Sequence, residues 1–418
     1  MQIQELLQIR KNKGKEIAKN GKIKMEGYKW VVPSQSSNKE YDVVLRLDKS
    51  TCTCQDFLGR GIKCKHIFAV EITLTKTIDS QGNTTITQTK RITYKQDWAN
   101  YRLAQTQEGR LFRVLLKDLV ENVSEEPYIF GRPKVPLKAN LYCAIDKVYS
   151  MQSSRRAHSR YKDAEEKAQI TQAPSYNMIN IKLNDPEITP ILRELLHITA
   201  IPLKSIETKF SPDSTGFRTT QFNEYCKEKH NTKKEHKWIK CHAISGNTTN
   251  IITDAIITEE NGADSPQFIP LVQETSSMGF DMQEVSADKA YNSIDNYNAV
   301  QQVGGTAYIP YKSNITAKSN TGNKARLWRK MFYYFKLNQE DFLMHYHSRS
   351  NIETTFFAVK TKFGDCLKNK TFTSQTNEIL CKLIAYNITV LISAMFELKI
   401  EPNLFCSESV KSAQEVSL

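Results

Sequence analysis

The stretch HYHSRSNIETTFFAVKTKFG, residues 345–364, decides how the fold of this chain is interpreted. Within it, four polar residues follow the order Y-x2-R-x3-E-x6-K: Tyr346, Arg349, Glu353 and Lys360. At about 100° per residue these side chains fall within about 60° of one helix face, and the apolar residues elsewhere in the stretch indicate that the helix also packs on a core. Two interpretations are open. The stripe is either a solvated, charged helix face or a face on which the carboxylate holds a metal ion and the cations hold phosphates.

This residue order resembles the signature around the third acid of the insertion-sequence DDE transposases. The resemblance predicts two upstream aspartates, each at the end of a β-strand. Asp213 follows a short strand-like run in SIETKFSPDSTGF, and Asp288 follows a Val-Ser-Ala run in MQEVSADKAYNS. About 75 residues separate Asp213 from Asp288, and about 65 residues separate Asp288 from Glu353.

The resemblance implies that these three acids are catalytic and together hold two Mg²⁺ or Mn²⁺ ions. Mg²⁺ prefers oxygen ligands, and two-metal phosphodiester cleavage needs the ions about 4 Å apart. Tyr346, Arg349 and Lys360 would then contact phosphates at the transposon ends, and the arginine could do so with two hydrogen bonds. The implied activity is metal-dependent DNA cleavage followed by strand transfer.

Four other aspartates compete with Asp288 for the second position: Asp254, Asp264, Asp281 and Asp295. Asp288 is preferred because ADKAY closely resembles the second-acid motif of the family, which more often has glycine in place of the alanine. Asp264, in NGADS, is similar to the loop acid that follows the third strand in these enzymes. We interpret it as structural.

The segments between the acids fit an α/β fold with a ribonuclease H-like mixed sheet and flanking helices, preceded by a helical region and a small zinc-binding module. HKWIKCHAIS and NIITDAIITEE have the alternation or the β-branched content of strands, and GGTAYIPYKS predicts a short strand. SPQFIPLVQETS has helical spacing. The interval between Asp288 and Glu353 leaves no room for the large β-insertion domain that some transposases carry there.

A second strong pattern lies in STCTCQDFLGRGIKCKHIFAVE, where Cys52, Cys54, Cys64 and His66 form C-x-C-x9-C-x-H. Three thiolates and one imidazole are a closed tetrahedral ligand set for Zn²⁺. The pattern resembles the SWIM zinc finger, which has a short loop between the two pairs and an apolar helix after them. The alternatives are a chance grouping of reduced residues and a disulfide, which the absence of a secretory segment disfavours.

The remaining cysteines are scattered, and most are predicted to be small buried apolar side chains. A second zinc site from Cys226 and His230 together with Cys241 and His242 is an alternative for that part of the chain. Because EYCKEKHNTKKEHK is highly charged and typical of an exposed loop, we assign Cys241 and His242 to the following strand instead.

A net charge of +13 and an isoelectric point near 9.1 agree with a DNA partner without establishing one. Cationic residues concentrate in residues 10–29 and from Arg155 and Arg156 to Arg160. For the first stretch, a solubilising run or a disordered tail is the alternative. The expected partner is double-stranded DNA, both the terminal repeats of a mobile element and target DNA, bound by a homodimer.

The length predicts two or three domains. We assign residues 1–80 to the zinc module, 81–204 to a mostly helical DNA-binding region, 205–400 to the catalytic domain and 401–418 to a tail. The polar run DSQGNTTITQTK, from Asp79, predicts a linker after the zinc module.

The helical region contains GRP and YS-x3-SRR, which recur in the DNA-binding region of related transposases, and Arg155 and Arg156 are therefore assigned to DNA binding. A helix-turn-helix is one interpretation of this region. A helical scaffold that packs on the catalytic core is the other.

The most apolar stretch, ILCKLIAYNITVLISAMFEL, is interrupted by Lys382 and Asn387 and predicts a buried core helix rather than a membrane span. Polar and basic residues follow Leu7 at once, so no secretory signal is predicted and a prokaryotic, cytoplasmic location is expected. The sequence thus predicts a DDE transposase. Two other functions are open: a metal-dependent nuclease that cuts DNA without strand transfer, and a transposase-derived DNA-binding protein without catalysis.

Overall fold

The computed structural model of the chain describes residues 3–20, 23–26, 29–35, 39–45, 50–60, 63–78, 84–88, 97–125, 130–131, 134–219, 238–316 and 322–404. The chain divides into two compact units, residues 1–95 and residues 96–418. Each unit has its own cluster of buried apolar side chains.

The first unit combines a small antiparallel sheet with helices. Its helices are α1 (Ile3–Asn20), α2 (Gln55–Arg60) and α3 (Lys65–Thr73). Four strands pair in chain order: β1 (Lys24–Glu26), β2 (Lys29–Pro33), β3 (Glu40–Val44) and β4 (Thr51–Cys52). A separate hairpin follows, made of β5 (Leu74–Ile78) and β6 (Thr84–Gln88). The run that the sequence predicted as a linker therefore contains a strand, because its β-branched threonines and isoleucine favour extended backbone.

The basic run near the start of the chain lies largely in α1, which packs against α3. Arg10 is buried and forms an ion pair of 2.7 Å with Asp56, and Ile17 joins the core. A Cβ atom on Gly14 would stand 2.7 Å from the Cβ of Phe68, so glycine permits the close approach of the two helices. The interpretation as a disordered tail is wrong for the part of the run in this helix.

The second unit begins with five helices: α4 (Trp98–Val120), α5 (Leu137–Tyr149), α6 (Ser154–Glu166), α7 (Tyr176–Leu183) and α8 (Ile188–Ala200). Five strands follow: β7 (Lys209–Arg218), β8 (Trp238–Gly246), β9 (Ile252–Glu259), β10 (Glu284–Ser286) and β11 (Thr306–Tyr308). The helices after β9 are α9 (Ser265–Ser277), α10 (Ile294–Gln302), α11 (Arg326–Leu337), α12 (Gln339–Tyr346), α13 (Ser350–Phe363) and α14 (Phe372–Glu397).

The five strands form one mixed sheet in the order β11-β10-β7-β8-β9. β7 is central: it pairs antiparallel with β8 and parallel with β10. β9 extends the antiparallel side and β11 the parallel side. This is the predicted ribonuclease H-like arrangement, with flanking helices after a helical region, and the predicted fold class is confirmed.

The apolar helix α14 is the centre of the second unit. It packs against α4, α5, α7 and α8 of the helical region and against α13. Its length and composition would allow a membrane span, but 78% of its apolar window is buried inside the protein, so the prediction of a core helix is confirmed. The same contacts favour the scaffold interpretation for these helices of the helical region.

The two polar interruptions of α14 have partners inside the protein. Lys382 donates hydrogen bonds to the carbonyl oxygens of Gly364 at 2.9 Å and Cys366 at 3.2 Å. The Asn387 amide bonds both the N–H of Ile252 at 3.0 Å and its carbonyl oxygen at 2.7 Å. Both polar groups are therefore satisfied within the core, as buried polar groups must be.

Two local expectations are corrected. Asp213 lies in the middle of β7 rather than at its end, because the pairing with β8 continues to Arg218. The signature is not one continuous α-helix: α12 ends at Tyr346, a 3-10 turn spans His347–Arg349, and α13 then begins. Only Glu353 and Lys360 of the four signature residues lie on α13.

Candidate active site and zinc centre

Helix α13 packs on the face of β7 that carries Asp213. Thr215 lies on the same face, because alternate residues of a strand point to the same side, and it accepts a 2.7 Å hydrogen bond from the ammonium group of Lys360. The same ammonium group lies 5.5 Å from the centre of the Phe217 ring. The helix that carries the third acid is thereby fixed on the strand that carries the first.

Arg349 joins two of the predicted acids. Its guanidinium Nη2 lies 2.7 Å from Oδ2 of Asp213, and its Nη1 lies 2.9 Å from Oε1 of Glu353. The Asp213 side chain is 17% exposed, whereas that of Glu353 is 59% exposed. Arg349 thus forms ion pairs with one acid from the sheet, Asp213, and one acid from the helix, Glu353.

The register of the parallel strands brings in Asp288. β10 pairs with β7 through Glu284 with Lys209 and Val285 with Phe210. Continued along both chains, this register places Asp288 beside Asp213, and neighbouring strands lie about 4.8 Å apart. The Asp288 carboxylate accepts a 2.7 Å hydrogen bond from the N–H of Lys289, which begins a 3-10 turn.

The electrostatics of the site follow from this crowding of acids. Burial raises the pKa of Asp213, and the charge of Asp288 raises it further, while the N–H of Ser214 and Arg349 act to lower it. Burial also raises the pKa of Tyr346. Arg349 acts to lower this pKa, while the nearby charges of Asp288 and Glu353 act to raise it. The three acids therefore form a cluster that positive charge stabilises. Carboxylate oxygens are also the ligands that Mg²⁺ prefers, so the residues present fit divalent metal ions.

The break between α12 and α13 is held on the sheet by hydrogen bonds. Ser286 at the end of β10 donates to the carbonyl oxygen of His345 at 3.1 Å, and the His345 ring lies 3.0 Å from the Glu284 carboxylate. Asn351 donates to the carbonyl oxygen of Asn247 at 2.8 Å. These contacts orient Arg349 and Glu353 towards β7. Sequence reasoning missed them, since none of these residues has a pattern beyond its nearness to the acid motifs.

Two of the competing aspartates have other partners. Asp254 is fully buried and accepts hydrogen bonds of 2.8 and 2.6 Å from Arg193, with His197 at 2.9 Å. Burial opposes ionisation of Asp254, but Arg193 and His197 lower its pKa below the ordinary value. Asp264 precedes α9 and lies 2.7 Å from the ammonium group of Lys240. Both acids are thus engaged in ion pairs that connect elements of the fold.

The first unit contains a compact group of metal-ligating side chains. The ligand atoms of Cys52, Cys54, Cys64 and His66 all lie within 4.8 Å of one another, and all four residues are buried. The Nδ1 atom of His66 lies 3.9 Å from the sulfur atoms of Cys52 and Cys64. In a tetrahedral zinc site, bond lengths near 2.3 Å for sulfur and 2.1 Å for nitrogen give a separation of about 3.6 Å. The group therefore fits Zn²⁺ with little adjustment.

The chemistry of these thiols agrees with a metal site. The hydrogen bond with Cys52 lowers the pKa of Cys64 to about 4, although burial opposes this. The same interaction raises the pKa of Cys52, and burial raises that of Cys54. Three thiols so close together cannot all ionise without a cation, which is the charge that a zinc ion supplies.

The predicted DNA-binding arginines of the helical region are at the surface. Arg155 and Arg156 begin α6 and are exposed, with the Arg155 guanidinium 5.8 Å from the centre of the Tyr176 ring. Their contact with DNA stays a prediction. Of the alternative second zinc site, Cys226 and His230 lie outside the described residues, and Cys241 and His242 lie in β8 as predicted.

Comparison with known families finds one match in each of the two units of the chain. Residues 206–388, which contain all three acids, match the family described as transposase DDE domain. The chain carries a transposase DDE domain. Residues 41–74 match the SWIM zinc finger and include all four ligands of the zinc group. Both predicted resemblances are confirmed.

The DDE domain indicates an enzyme of the nucleotidyl-transfer kind that uses divalent metal, and the SWIM finger with its Cys/His group indicates zinc. Among solved structures, the chain is similar to a cryo-EM structure of a piggyBac transposase synaptic complex with hairpin DNA. The identity is 12% and the TM-score 0.34, over 79% of this chain and 84% of that chain. A TM-score of this size does not establish a shared fold.

Proposed function

We propose that this protein is an active DDE transposase that binds the ends of its mobile element, cleaves them and joins them to target DNA. The observation that carries the proposal is the convergence of Asp213, Asp288 and Glu353 inside a transposase DDE domain. Asp213 lies in β7, Asp288 lies just beyond the end of the neighbouring strand β10, and Arg349 links Asp213 to Glu353.

In this proposal the three carboxylates hold Mg²⁺ or Mn²⁺ ions. When bound, two such ions activate water or a DNA 3′-hydroxyl and stabilise the leaving oxygen. Arg349 contacts Asp213 at 2.7 Å, and the Asp213 side chain, at 17% exposed, is more enclosed than that of Glu353. Glu353 reaches the site from the first turn of α13 and is exposed enough to adjust its position.

The proposed DNA contacts are Tyr346, Arg349 and Lys360 at the site and Arg155 and Arg156 on α6. A transposase must hold two element ends together, and a homodimer on double-stranded DNA would provide two such sites. The net charge of +13 supports attraction to the phosphate backbone. We place the protein in the cytoplasm of a prokaryotic cell, at the nucleoid when it acts.

The test is an assay in Mg²⁺ on duplexes that end in the terminal inverted repeats flanking the coding sequence, with intact and with pre-cleaved ends. Asp213→Asn, Asp288→Asn and Glu353→Gln should each abolish cleavage and strand transfer while binding to the ends holds or tightens, because each removes a negative charge near DNA. The matched control is Asp281→Asn, an acid of the same segment outside the cluster, which should retain activity.

The other functions are separate outcomes of the same assay. Cleavage of intact ends without joining of pre-cleaved ends would identify a metal-dependent nuclease. Specific end binding with no cleavage in Mg²⁺ or Mn²⁺ would identify a DNA-binding protein without catalysis. Near-normal cleavage by Asp288→Asn would remove the assignment of the second acid.

A further inference from the structure

A cavity of about 380 Å³, lined by several charged side chains, lies at the ends of β7 and α13 that are remote from the acids. Its walls come from the end of α5, the loop before α6, Arg218 of β7, the connection between α13 and α14, and α14 itself. The volume is at the lower end of the range of ligand sites. Nothing in the catalytic arrangement described above uses this cavity.

The cavity contains more cationic than acidic side chains. Its charged residues are Lys147, Arg218, Lys368 and Lys382 on the one hand and Asp365 and Glu378 on the other. Lys147 is 6% exposed and Lys382 is 2% exposed. Buried charge without a compensating partner is costly, so an excess of cations in an enclosed space favours an anionic ligand.

Two of these cations, Lys382 and Lys368, already have partners. Lys382 donates to two carbonyl oxygens and lies 3.9 Å from the Glu378 carboxylate, and Lys368 donates to the carbonyl oxygen of Met151 at 2.6 Å. Lys147, in contrast, makes one hydrogen bond of 3.3 Å to Asn180 among the described residues. Arg218 pairs with Asp365, but its buried Nε atom has no hydrogen-bond partner among the residues that the structure describes.

The cavity lies near the signature residue Lys360. The buried Phe217 ring has the ammonium group of Lys360 at 5.5 Å and that of Lys382, which lines the cavity, at 5.4 Å. Arg218 is about 17 Å along β7 from Asp213, at about 3.4 Å per residue. A duplex that lies along β7 and α13 could therefore place one phosphate at the acids and another, a few nucleotides along, at the cavity.

We propose that this cavity binds a backbone phosphate of the element-end DNA about 17 Å from the phosphate that is cut, with Lys147 and Arg218 as the donors. The proposal rests on the proposed function, because it needs DNA to lie along β7 and α13. One phosphate would then be held by the helical region through Lys147 and by the sheet through Arg218. The same chemistry could recognise a free phosphate compound, which the test distinguishes.

The test measures binding to end duplexes in which one phosphate at a time is replaced by a neutral methylphosphonate, without divalent metal so that binding is scored apart from catalysis. The wild-type protein should lose about tenfold in affinity at one position a few nucleotides from the cut, since a hydrogen bond to a charged group is lost. Lys147→Met and Arg218→Gln should each bind the unmodified duplex about tenfold more weakly and be insensitive to that replacement. Lys162→Met, on the exposed side of α6, is the matched control and should keep the wild-type profile.

Two variants are used because Lys147 is buried, and a folded Arg218→Gln alone is sufficient for the comparison. If both variants keep the wild-type sensitivity at every position, the cavity does not hold a DNA phosphate. If they weaken binding of inorganic pyrophosphate but not of the duplex, the ligand is a free phosphate compound and the proposal is overturned. If no methylphosphonate position weakens binding by a wild-type protein that cleaves and joins ends, this proposal alone is overturned. If one position weakens binding by a protein that does not cleave, the result supports this proposal and contradicts the proposed activity.

Discussion

The ion pairs of Arg349 lead to a quantitative prediction for Arg349→Met. This substitution keeps the length of the side chain but removes the contacts of 2.7 Å to Asp213 and 2.9 Å to Glu353. The contact with Glu353 contributes little, because that side chain is 59% exposed and solvent screens it. The contact with Asp213 decides the size of the effect, since both partners are largely enclosed.

A hydrogen bond between charged groups contributes about 1.5–3 kcal/mol, so we expect the free energy of unfolding to fall by about 2 kcal/mol. For a unit the size of residues 96–418 that corresponds to a decrease of about 3 °C in Tm, because the unfolding entropy is about 2.1 cal/mol/K per residue. Arg349 stabilises the ionised form of Asp213, whose pKa burial already raises. The difference between variant and wild type should therefore be largest at neutral pH and shrink as the pH falls towards 3.8, the ordinary value for the carboxyl group.

A divalent cation should replace the lost positive charge. We expect Mg²⁺ or Mn²⁺ to raise the Tm of Arg349→Met more than that of the wild type, because metal binding to the variant does not compete with the guanidinium. The assay is thermal unfolding over a metal titration, in the absence of DNA. The control is Lys362→Met, which removes an ion pair of 2.8 Å with Glu108 from the same helix, remote from the acids. If both variants respond equally to metal, Arg349 does not stabilise the acid cluster as argued.

Three further predictions concern single residues. Cys64→Ser should reduce the zinc content of purified, reduced protein from about one ion per chain to none and destabilise the first unit; elemental analysis and unfolding with a chelator check this. Asp254→Asn should lower the free energy of unfolding by about 3 kcal/mol at neutral pH, because it leaves Arg193 without its buried partner. Since the pKa of Asp254 is lowered, its contribution is present above 3.8 and is lost as the pH falls below that value, so denaturant unfolding of variant and wild type should converge in acid. Asn387→Leu should cost about 2–3 kcal/mol in urea unfolding, because both backbone groups of Ile252 lose their partner, and unchanged stability would contradict the role assigned to this amide.

Local patterns in the sequence were sufficient for the types of the main elements. The strands and the helix between the acids formed where alternation and helical spacing predicted them, and Lys382 and Asn387 marked α14 as a core helix. Their boundaries were less secure. Asp213 was expected at the end of a strand, but its strand continues because β8 offers hydrogen-bonding partners as far as Trp238, which no local pattern contains.

The candidate site divides in the same way. The sequence by itself determined the ligand chemistry, because the zinc set is close in sequence and the spacing of the signature residues within a few helical turns is a local property. Only the tertiary structure decided that Arg349 stands between Asp213 and Glu353, that the turn before α13 is anchored on β10, and that Lys147 and Arg218 line one cavity. The partners in those contacts are tens to hundreds of residues apart in the chain. They meet because the central strand β7 is flanked by elements from both sides of the sequence, and the energy of such contacts exists only once the sheet and α14 have brought them together.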